Sequence, residues 1–275
     1  MLATLVIFLR EGVEASLIIA ILLAYLNRSG QRQHFRDVFL GVAAALVLAA
    51  AGGVIAYQTI RSYDGSRAQT IFETATYLLA AGVLTYMTFW MRSHARGLSS
   101  ELRARADTAI SRGARTGLAL LAFQAVGREG LETVVFTLAI AFSTSQRSAL
   151  LGAVIGLAIA LAIAFVIYRL GHRLNIGRFF AVVGALLMVF AAGLLVDAVQ
   201  NLQELGWLPL ATHPLWHTGH ILNEDTAVGD LAHSFFGYAQ SPTVLQASVY
   251  VLYLAVALLA FFNVRRRFFG PRAAG

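Results

Sequence analysis

Two short motifs place charged side chains inside otherwise apolar stretches: residues 10–14 read REGVE and residues 128–132 read REGLE. A helix brings residues three or four positions apart onto one face, so each motif presents one guanidinium and two carboxylates together. Carboxylate oxygens are hard ligands that suit hard cations. The glycine inside each motif would let another helix approach closely. The motifs therefore predict one cation site whose ligands and charge-balancing partners are Glu11, Glu14, Glu129, Glu132, Arg10 and Arg128.

The composition is that of a membrane protein. Of the 275 residues, 58% are hydrophobic and only 13% are charged, and the mean hydropathy is +0.70. Soluble domains are about a quarter charged, so an ordinary cytosolic enzyme is excluded. The absence of cysteine also excludes disulfides, zinc–thiolate sites and iron–sulfur clusters. Seven apolar segments are each long enough to cross a roughly 30 Å hydrocarbon core as a helix; they lie at about 2–26, 38–60, 70–91, 116–142, 149–168, 179–199 and 246–263.

The arginines predict the orientation of these segments. All 21 basic residues are arginine; sixteen follow segments one, three, five and seven, and three follow the alternate segments. Because cytoplasmic loops collect basic residues, we expect the N-terminus outside and the C-terminus inside. The net charge of +7 is then a topology signal, and no nucleic-acid partner is expected. The basic stretch 97–115 predicts a short helix that lies on the membrane surface against lipid.

An internal repeat accompanies the two motifs. Segments three and six share the related stretches 80–84 (AAGVL) and 191–195 (AAGLL). Each copy, about 2–91 and about 116–199, has three segments, so the second copy must enter the membrane from the opposite side, as in many transporters. The predicted fold is an all-α polytopic membrane protein: one permease domain, 1–275, with two inverted three-helix repeats, an outer loop at about 200–245 and a seventh helix at about 246–263.

The cost of the motif charges favours a functional role. Each charged residue near mid-membrane costs about 2.5–3.5 kcal/mol for insertion. A purely structural ion-pair cluster between segments one and four is the alternative, but apolar packing holds helices together at lower cost. Facing carboxylates in a medium of low dielectric constant cannot all ionise, so we expect metal binding to displace protons.

The doubled REGxE motif, in the first and fourth of seven segments, resembles the high-affinity iron permease family of bacteria (EfeU-type permeases) and fungi. The stretch from Phe72-Glu73 to Trp90-Met91 is similar to that family's third helix. The resemblance implies an iron permease of the bacterial inner membrane, with the four motif glutamates as iron ligands. It also favours Glu73 as a further ligand. One departure is Gln200-Asn201 before Leu202, where relatives commonly have a histidine and an acid, which weakens a metal relay there.

The same resemblance implies iron as the transported substrate and no tightly bound cofactor. It also implies outer partners: a periplasmic iron-binding protein and a haem peroxidase, or an outer oxidase. Direct ATP drive within the chain is not expected, because a nucleotide-binding loop needs a lysine and the chain has none.

The predicted outer loop carries acidic residues and histidines but no arginine. If Pro214 opens a helix, three of the histidines fall on one face and could collect metal at the outer mouth. This hypothetical outer capture group comprises His213, His217, His220, Glu224 and Asp225. Asp197, near the outer end of segment six, is expected to be a solvated helix-end acid.

Two other functions stay open from the residues alone. One is the transport of another cation, such as lead or manganese, through the same carboxylates. The other is a membrane di-iron carboxylate oxidase. Such oxidases pair Glu-x-x-His motifs with glutamates, and none of the seven histidines falls inside a predicted membrane segment, so an enzyme is disfavoured.

Overall fold

The computed structural model describes residues 1–63, 65–94, 97–111, 114–143, 146–170, 176–224 and 226–269. Within these ranges the regular secondary structure is entirely helical, and one isolated β-bridge joins Pro214 and Thr243. The described α-helices are α1 (Leu2–Arg28), α2 (Phe35–Arg61), α3 (Arg67–His94), α4 (Leu98–Ser111), α5 (Ala114–Ser143), α6 (Gln146–Leu170), α7 (Ile176–Glu204), α8 (Ala227–Phe236) and α9 (Val244–Phe269).

Each predicted apolar segment lies within one helix, in the order α1, α2, α3, α5, α6, α7 and α9. These segments are rich in alanine and leucine, and none of the four prolines falls inside one, so no backbone N–H is lost from their interiors. Threonines inside the helices donate to the carbonyl four residues earlier, as Thr88 does to Leu84 and Thr133 does to Glu129. Polar side chains are thereby satisfied without a partner outside the helix.

Four stretches of the described helices are long and apolar enough to cross a membrane: Arg32–Arg61, Arg147–Val166, Phe179–Glu204 and Val244–Phe261. Helices α2, α6 and α9 also expose many large apolar side chains, among them Val47, Leu151 and Leu252. Extensive apolar surface of this kind is typical of a face that contacts lipid rather than water. The chain is therefore a polytopic membrane protein.

The chain divides into two compact units, and the first contains Met1–Gln69 and Arg92–Phe180. In this unit α1 packs most extensively against α6, and α2 packs against α5. The basic helix predicted at 97–115 is α4, which buries Leu102 and Ala106 and packs against α5 and α1. The core between α1, α2, α4 and α5 includes Leu22, Leu26, Val38, Leu118 and Val126.

Small residues set the packing distance in both helix pairs of the first unit. A side chain on Gly152 of α6 would collide with the carbonyl of Met1, the residue that precedes α1, and one on Gly41 of α2 would collide with the carbonyl of Ala119 in α5. Gly41 and Gly152 are 111 residues apart, and Met1 and Ala119 are 118 apart. The same contact thus recurs at the offsets of the sequence repeat, which means that the repeat extends to the helix packing.

The second unit contains Thr70–Met91 and Ala181–Gly275. Its apolar core joins Met188 of α7 to Ala257 and Phe261 of α9, with Phe89 of α3 packed against them. A hydrogen bond of 2.6 Å between the hydroxyls of Thr85 and Tyr253 also links α3 to α9. The three long helices of this unit are therefore held by a shared apolar core and by polar contacts, which include a hydrogen bond from Gln246 of α9 to Gln200 of α7.

The outer capture helix expected after Pro214 is not formed. Residues 205–224 are turns and extended chain, and the Leu215 N–H donates to the Pro242 carbonyl at 2.8 Å. The Thr218 N–H donates to the Gln240 carbonyl, also at 2.8 Å. Pairing with residues 240–244 keeps this segment extended, so the expectation of one helical face was wrong. The histidines concerned are exposed and do not share a helix: His213, His217 and His220.

Candidate metal centre

Both REGxE motifs lie in the middle of long helices, one in α1 and one in α5, which contact each other within the first unit. A Cβ atom on Gly12 would lie 2.8 Å from the Cβ of Ala160 in α6. A Cβ atom on Gly130 would lie 2.9 Å from the Cβ of Ala49 in α2. The two motif glycines therefore make matching close contacts, which fix the depth and rotation of the motif side chains.

The first motif is closed and fully buried. Arg10 donates from Nη1 to Glu11 Oε1 at 3.1 Å, and its Nε lies 3.3 Å from Glu14 Oε1. Arg10 is only 2% exposed, and both carboxylates are buried with it. Burial of a charge in this way requires nearby opposite charge, and the guanidinium supplies it by bridging the two carboxylates.

The second motif has the same local geometry in a more open environment. Arg128 donates from Nε to Glu132 Oε1 at 3.0 Å. The Arg128 side chain is 42% exposed, however, whereas Glu129 is buried. Two motifs of nearly identical sequence thus differ in how far their arginines are enclosed.

Three of the four motif glutamates converge. One carboxylate oxygen from each of Glu11, Glu14 and Glu129 lies within 4.8 Å of the other two, and all three residues are buried. Glu132 does not belong to this group; it lies within electrostatic range of Arg10 and Glu14. The structure therefore brings together carboxylates from both motifs, and the fourth glutamate is paired with Arg128.

Several of these oxygens are buried without a hydrogen-bond partner among the described residues. They are Glu11 Oε2, Glu14 Oε1, Glu129 Oε2 and Glu132 Oε2. Buried polar groups are nearly always hydrogen-bonded, and an unsatisfied one destabilises the fold. A cation bound between α1 and α5 would satisfy several of them at once. An all-oxygen ligand set suits a hard cation rather than one that prefers sulfur.

The remaining predicted ligands are more scattered. Glu73 lies in α3 of the second unit, half-buried and within electrostatic range of Tyr77, and its role as a ligand stays a prediction. Glu224 accepts a hydrogen bond from the backbone N–H of Gln240. Asp225 lies outside the described residues. Among the described residues, the outer histidines form no metal-binding group of three or more, and their role in capture stays a prediction.

Sequence reasoning missed the surroundings of Asp197. The side chain is only 14% exposed, and its Oδ1 lies 3.8 Å from Nε2 of His233 in α8. The expectation of a solvated helix-end acid was therefore wrong. Gly193 lies one turn earlier and touches Gly237, which brings α8 over this part of α7. In the sequence, the glycine one turn before Asp197 was the feature that could have indicated a close approach by another segment.

Long apolar helices that expose large apolar side chains define the class of α-helical polytopic membrane proteins. The chain belongs to the iron permease FTR1 family, whose profile matches residues 1–267. It is similar to the "Ferrous iron permease EfeU" of Yersinia pestis, with 34% identity over 264 residues that cover 95% of this chain and 93% of the relative.

Two further relatives carry the same name. The protein of Yersinia pseudotuberculosis serotype I (strain IP32953) is 35% identical over 267 residues, covering 95% of this chain and 93% of its own. That of Escherichia coli O6:K15:H31 (strain 536 / UPEC) is 34% identical over 263 residues, covering 95% of both chains. No solved structure shows a significant match. The relatives are permeases by name, so the chain is a transporter and not an enzyme.

Proposed function

We propose that this protein carries iron ions across the cytoplasmic membrane into the cell through a site built from the two REGxE motifs. The observation that carries the proposal is the convergence of Glu11, Glu14 and Glu129 from two helices within 4.8 Å of one another. The printed name of the relatives, which specifies ferrous iron, supports iron as the cargo. Glu132 is the fourth ligand in this proposal, released from Arg128 as the ion arrives.

The charges of the site fit a passing cation. Four ionised glutamates and two arginines leave two negative charges, which one iron(II) ion neutralises. Arg10 and Arg128 reduce the repulsion between carboxylates when no ion is bound, and protonation of some carboxylates reduces it further. Because the arginines prevent a larger negative excess, the ion is held strongly enough to leave water and weakly enough to move on. The glutamate group includes no histidine among the described residues, which favours transport over di-iron oxidase chemistry.

The membrane architecture is part of the same proposal: seven spans, two inverted three-helix repeats, the N-terminus outside and the C-terminus inside. The matched contacts of Gly12 with Ala160 and of Gly130 with Ala49 support the repeat. The distribution of the arginines supports the orientation. In transporters with inverted repeats, the substrate site lies near the midplane between the copies. The position of the glutamates in the middle of α1 and α5 is consistent with such a site.

The partners in this proposal are iron, membrane lipid around the apolar faces and outer proteins that deliver the ion. A periplasmic iron-binding protein with a haem peroxidase, or an outer oxidase, would supply iron in one defined oxidation state. The hard, all-carboxylate ligand set is consistent with delivery of an oxidised ion, and equally accepts iron(II). The bacterial inner membrane is the proposed location.

The test is iron uptake by metal-starved cells, with iron(II) and iron(III) supplied separately. Replacing Glu14 or Glu129 by Gln keeps the size of the side chain and removes a charge and a strong ligand. We expect uptake to fall by more than about tenfold at unchanged membrane levels, by analogy with the loss of partners around other metal sites. Glu101→Gln is the matched control, because Glu101 is exposed on α4 and pairs with Arg105.

Wild-type uptake in both Glu14→Gln and Glu129→Gln would refute the proposal. Competition by excess manganese or lead identifies the preferred cation. If manganese or lead uptake exceeds iron uptake and depends on the same glutamates, the glutamate site is supported and iron is refuted as the preferred substrate.

A further inference from the structure

A second group of metal-binding side chains lies in the second unit, where α8 packs on α7. Gly237 ends α8 in a left-handed conformation with φ of 65°. A Cβ atom on Gly237 would lie 2.5 Å from the Cα of Gly193, so only glycine permits this approach. Asp197 lies one turn beyond Gly193, and His233 lies one turn before Gly237. The glycine contact therefore brings these two side chains together.

The ring of His233 has a fixed orientation and a fixed tautomer when it is neutral. Its Nδ1 lies 2.8 Å from the carbonyl oxygen of Tyr238, and a carbonyl can only accept, so Nδ1 carries the hydrogen. The Tyr238 hydroxyl in turn donates to the Leu222 carbonyl at 2.9 Å and contacts Thr218. In the neutral ring Nε2 therefore carries a lone pair, and it faces the Asp197 carboxylate.

Two electron-pair donors that face each other in a largely enclosed place repel each other unless a proton or a metal ion lies between them. The distance of 3.8 Å between His233 Nε2 and Asp197 Oδ1 is longer than a hydrogen bond. A divalent metal bound at about 2.0–2.2 Å from each atom spans such a gap. Histidines that bind metals usually donate their other ring N–H to a carbonyl or carboxylate, and the bond from His233 to Tyr238 has this form.

The charges around the pair also favour a cation. Glu224 lies within electrostatic range of Asp197, and so does Tyr77, which itself lies within range of Glu73. Residues 200–245 contain no arginine, and the chain contains no lysine. Asn201, one turn beyond Asp197 on the same face of α7, has a side-chain amide nitrogen buried without a hydrogen-bond partner among the described residues. If the Asn201 amide is rotated by 180°, its oxygen occupies the place now given to the nitrogen, and amide oxygens are cation ligands.

We propose that Asp197 and His233 bind a divalent transition-metal cation at a second site, separate from the motif glutamates, with water completing its coordination. One imidazole and one carboxylate suit iron(II), manganese(II) or zinc(II) and differ from the all-carboxylate motif site. With only two protein ligands, the site binds its ion more weakly than a closed structural site. A weak site is suited to receiving an ion and releasing it.

The test is equilibrium dialysis of the purified full-length protein in lipid nanodiscs against iron(II) alone, without oxygen. Asp197→Asn and His233→Gln are compared with Glu101→Gln, a control because Glu101 is exposed on α4 and pairs with Arg105. We expect wild type and Glu101→Gln to bind two classes of iron(II). Asp197→Asn and His233→Gln should lose one class, or bind it more than about tenfold more weakly. Glu14→Gln should lose the other class.

Retention of the Glu14-dependent class shows that the Asp197 and His233 variants are folded. If these variants bind as much iron(II) as wild type with unchanged affinity, the pair is an imidazolium–carboxylate ion pair and the proposed site does not exist. A wild-type protein that binds only the Glu14-dependent class would overturn the second site as well, and it would leave the proposed transport function untouched.

Discussion

Replacing Gly12 by Ala adds one methyl group at the centre of the first motif. That methyl carbon would lie 2.8 Å from the Cβ of Ala160, whereas carbon atoms in contact prefer about 3.5–4.0 Å. The α1–α6 pair must therefore separate by up to about 1 Å, because the Cβ of Ala160 is fixed to the backbone of α6 and cannot rotate aside. Glu11 and Glu14 move with α1, which changes their distances to Glu129 in α5.

Two opposing effects set the size of the change in stability. Alanine has a helix propensity about 1 kcal/mol better than glycine, which stabilises the variant. Overpacking of a close contact costs about 1–3 kcal/mol. The net loss is therefore about 0–2 kcal/mol, small enough for the protein to insert and fold. The effect on transport should be larger, since glutamates displaced by about 1 Å can no longer all bind one ion.

The assay pairs iron uptake with thermal unfolding of the purified protein. Gly12→Ala should lower uptake severalfold, and adding Ala160→Gly should restore it, because the second change removes the methyl group that the first one meets. Gly52→Ala in α2 is the matched control, since an added Cβ there meets nothing within 4 Å. Wild-type uptake in Gly12→Ala, or a double variant no better than the single one, would show that the close contact does not position the glutamates.

Three further predictions concern the charged residues and the topology. Pairs of Glu→Gln changes at Glu11, Glu14, Glu129 and Glu132 should be non-additive in uptake, because a site missing one ligand has little left to lose; additive losses would indicate independent sites. Arg10→Ala should lower the level of the protein in the membrane more than Arg128→Ala, since Arg10 is 2% exposed and Arg128 is 42% exposed. Immunoblotting measures these levels, and equal levels would contradict the prediction. Lysine at either position should restore uptake only partly, because it lacks the planar guanidinium group. A reporter fused after Arg272 should report the cytoplasm and one inserted near Asp225 the outside; both on one side would disprove the seven-span topology.

The motif residues and the helical fold could be predicted because both depend on local pattern. Apolar segment length and the absence of proline locate the long helices, and the repeated REGxE motif indicates which glutamates face one another. The recurrence of the Gly41–Ala119 contact as Gly152–Met1 follows from the same repeat. Only the presence of the repeat could be anticipated; which small residues make the contacts depends on how the helices cross.

What the sequence could not predict depends on contacts between distant residues. The two motifs are almost identical, so the different exposure of Arg10 and Arg128 arises from their surroundings and not from local sequence. Pro214 is a common first residue of a helix, but pairing of this segment with residues 240–244 overrides that preference. Asp197 lies near a helix end, which predicts solvation; the close contact of Gly193 with Gly237 covers it instead.

The most direct test of the shared glutamate site is a structure of the protein determined with iron bound. The account predicts metal density within about 2–2.5 Å of carboxylate oxygens, by analogy with other oxygen-ligated cations, and ligands from both α1 and α5, with Glu11, Glu14 and Glu129 among them. The density should be absent in Glu14→Gln under the same conditions. Iron held by one helix alone, or iron bound elsewhere while the glutamate group keeps its present contacts, would contradict the central claim.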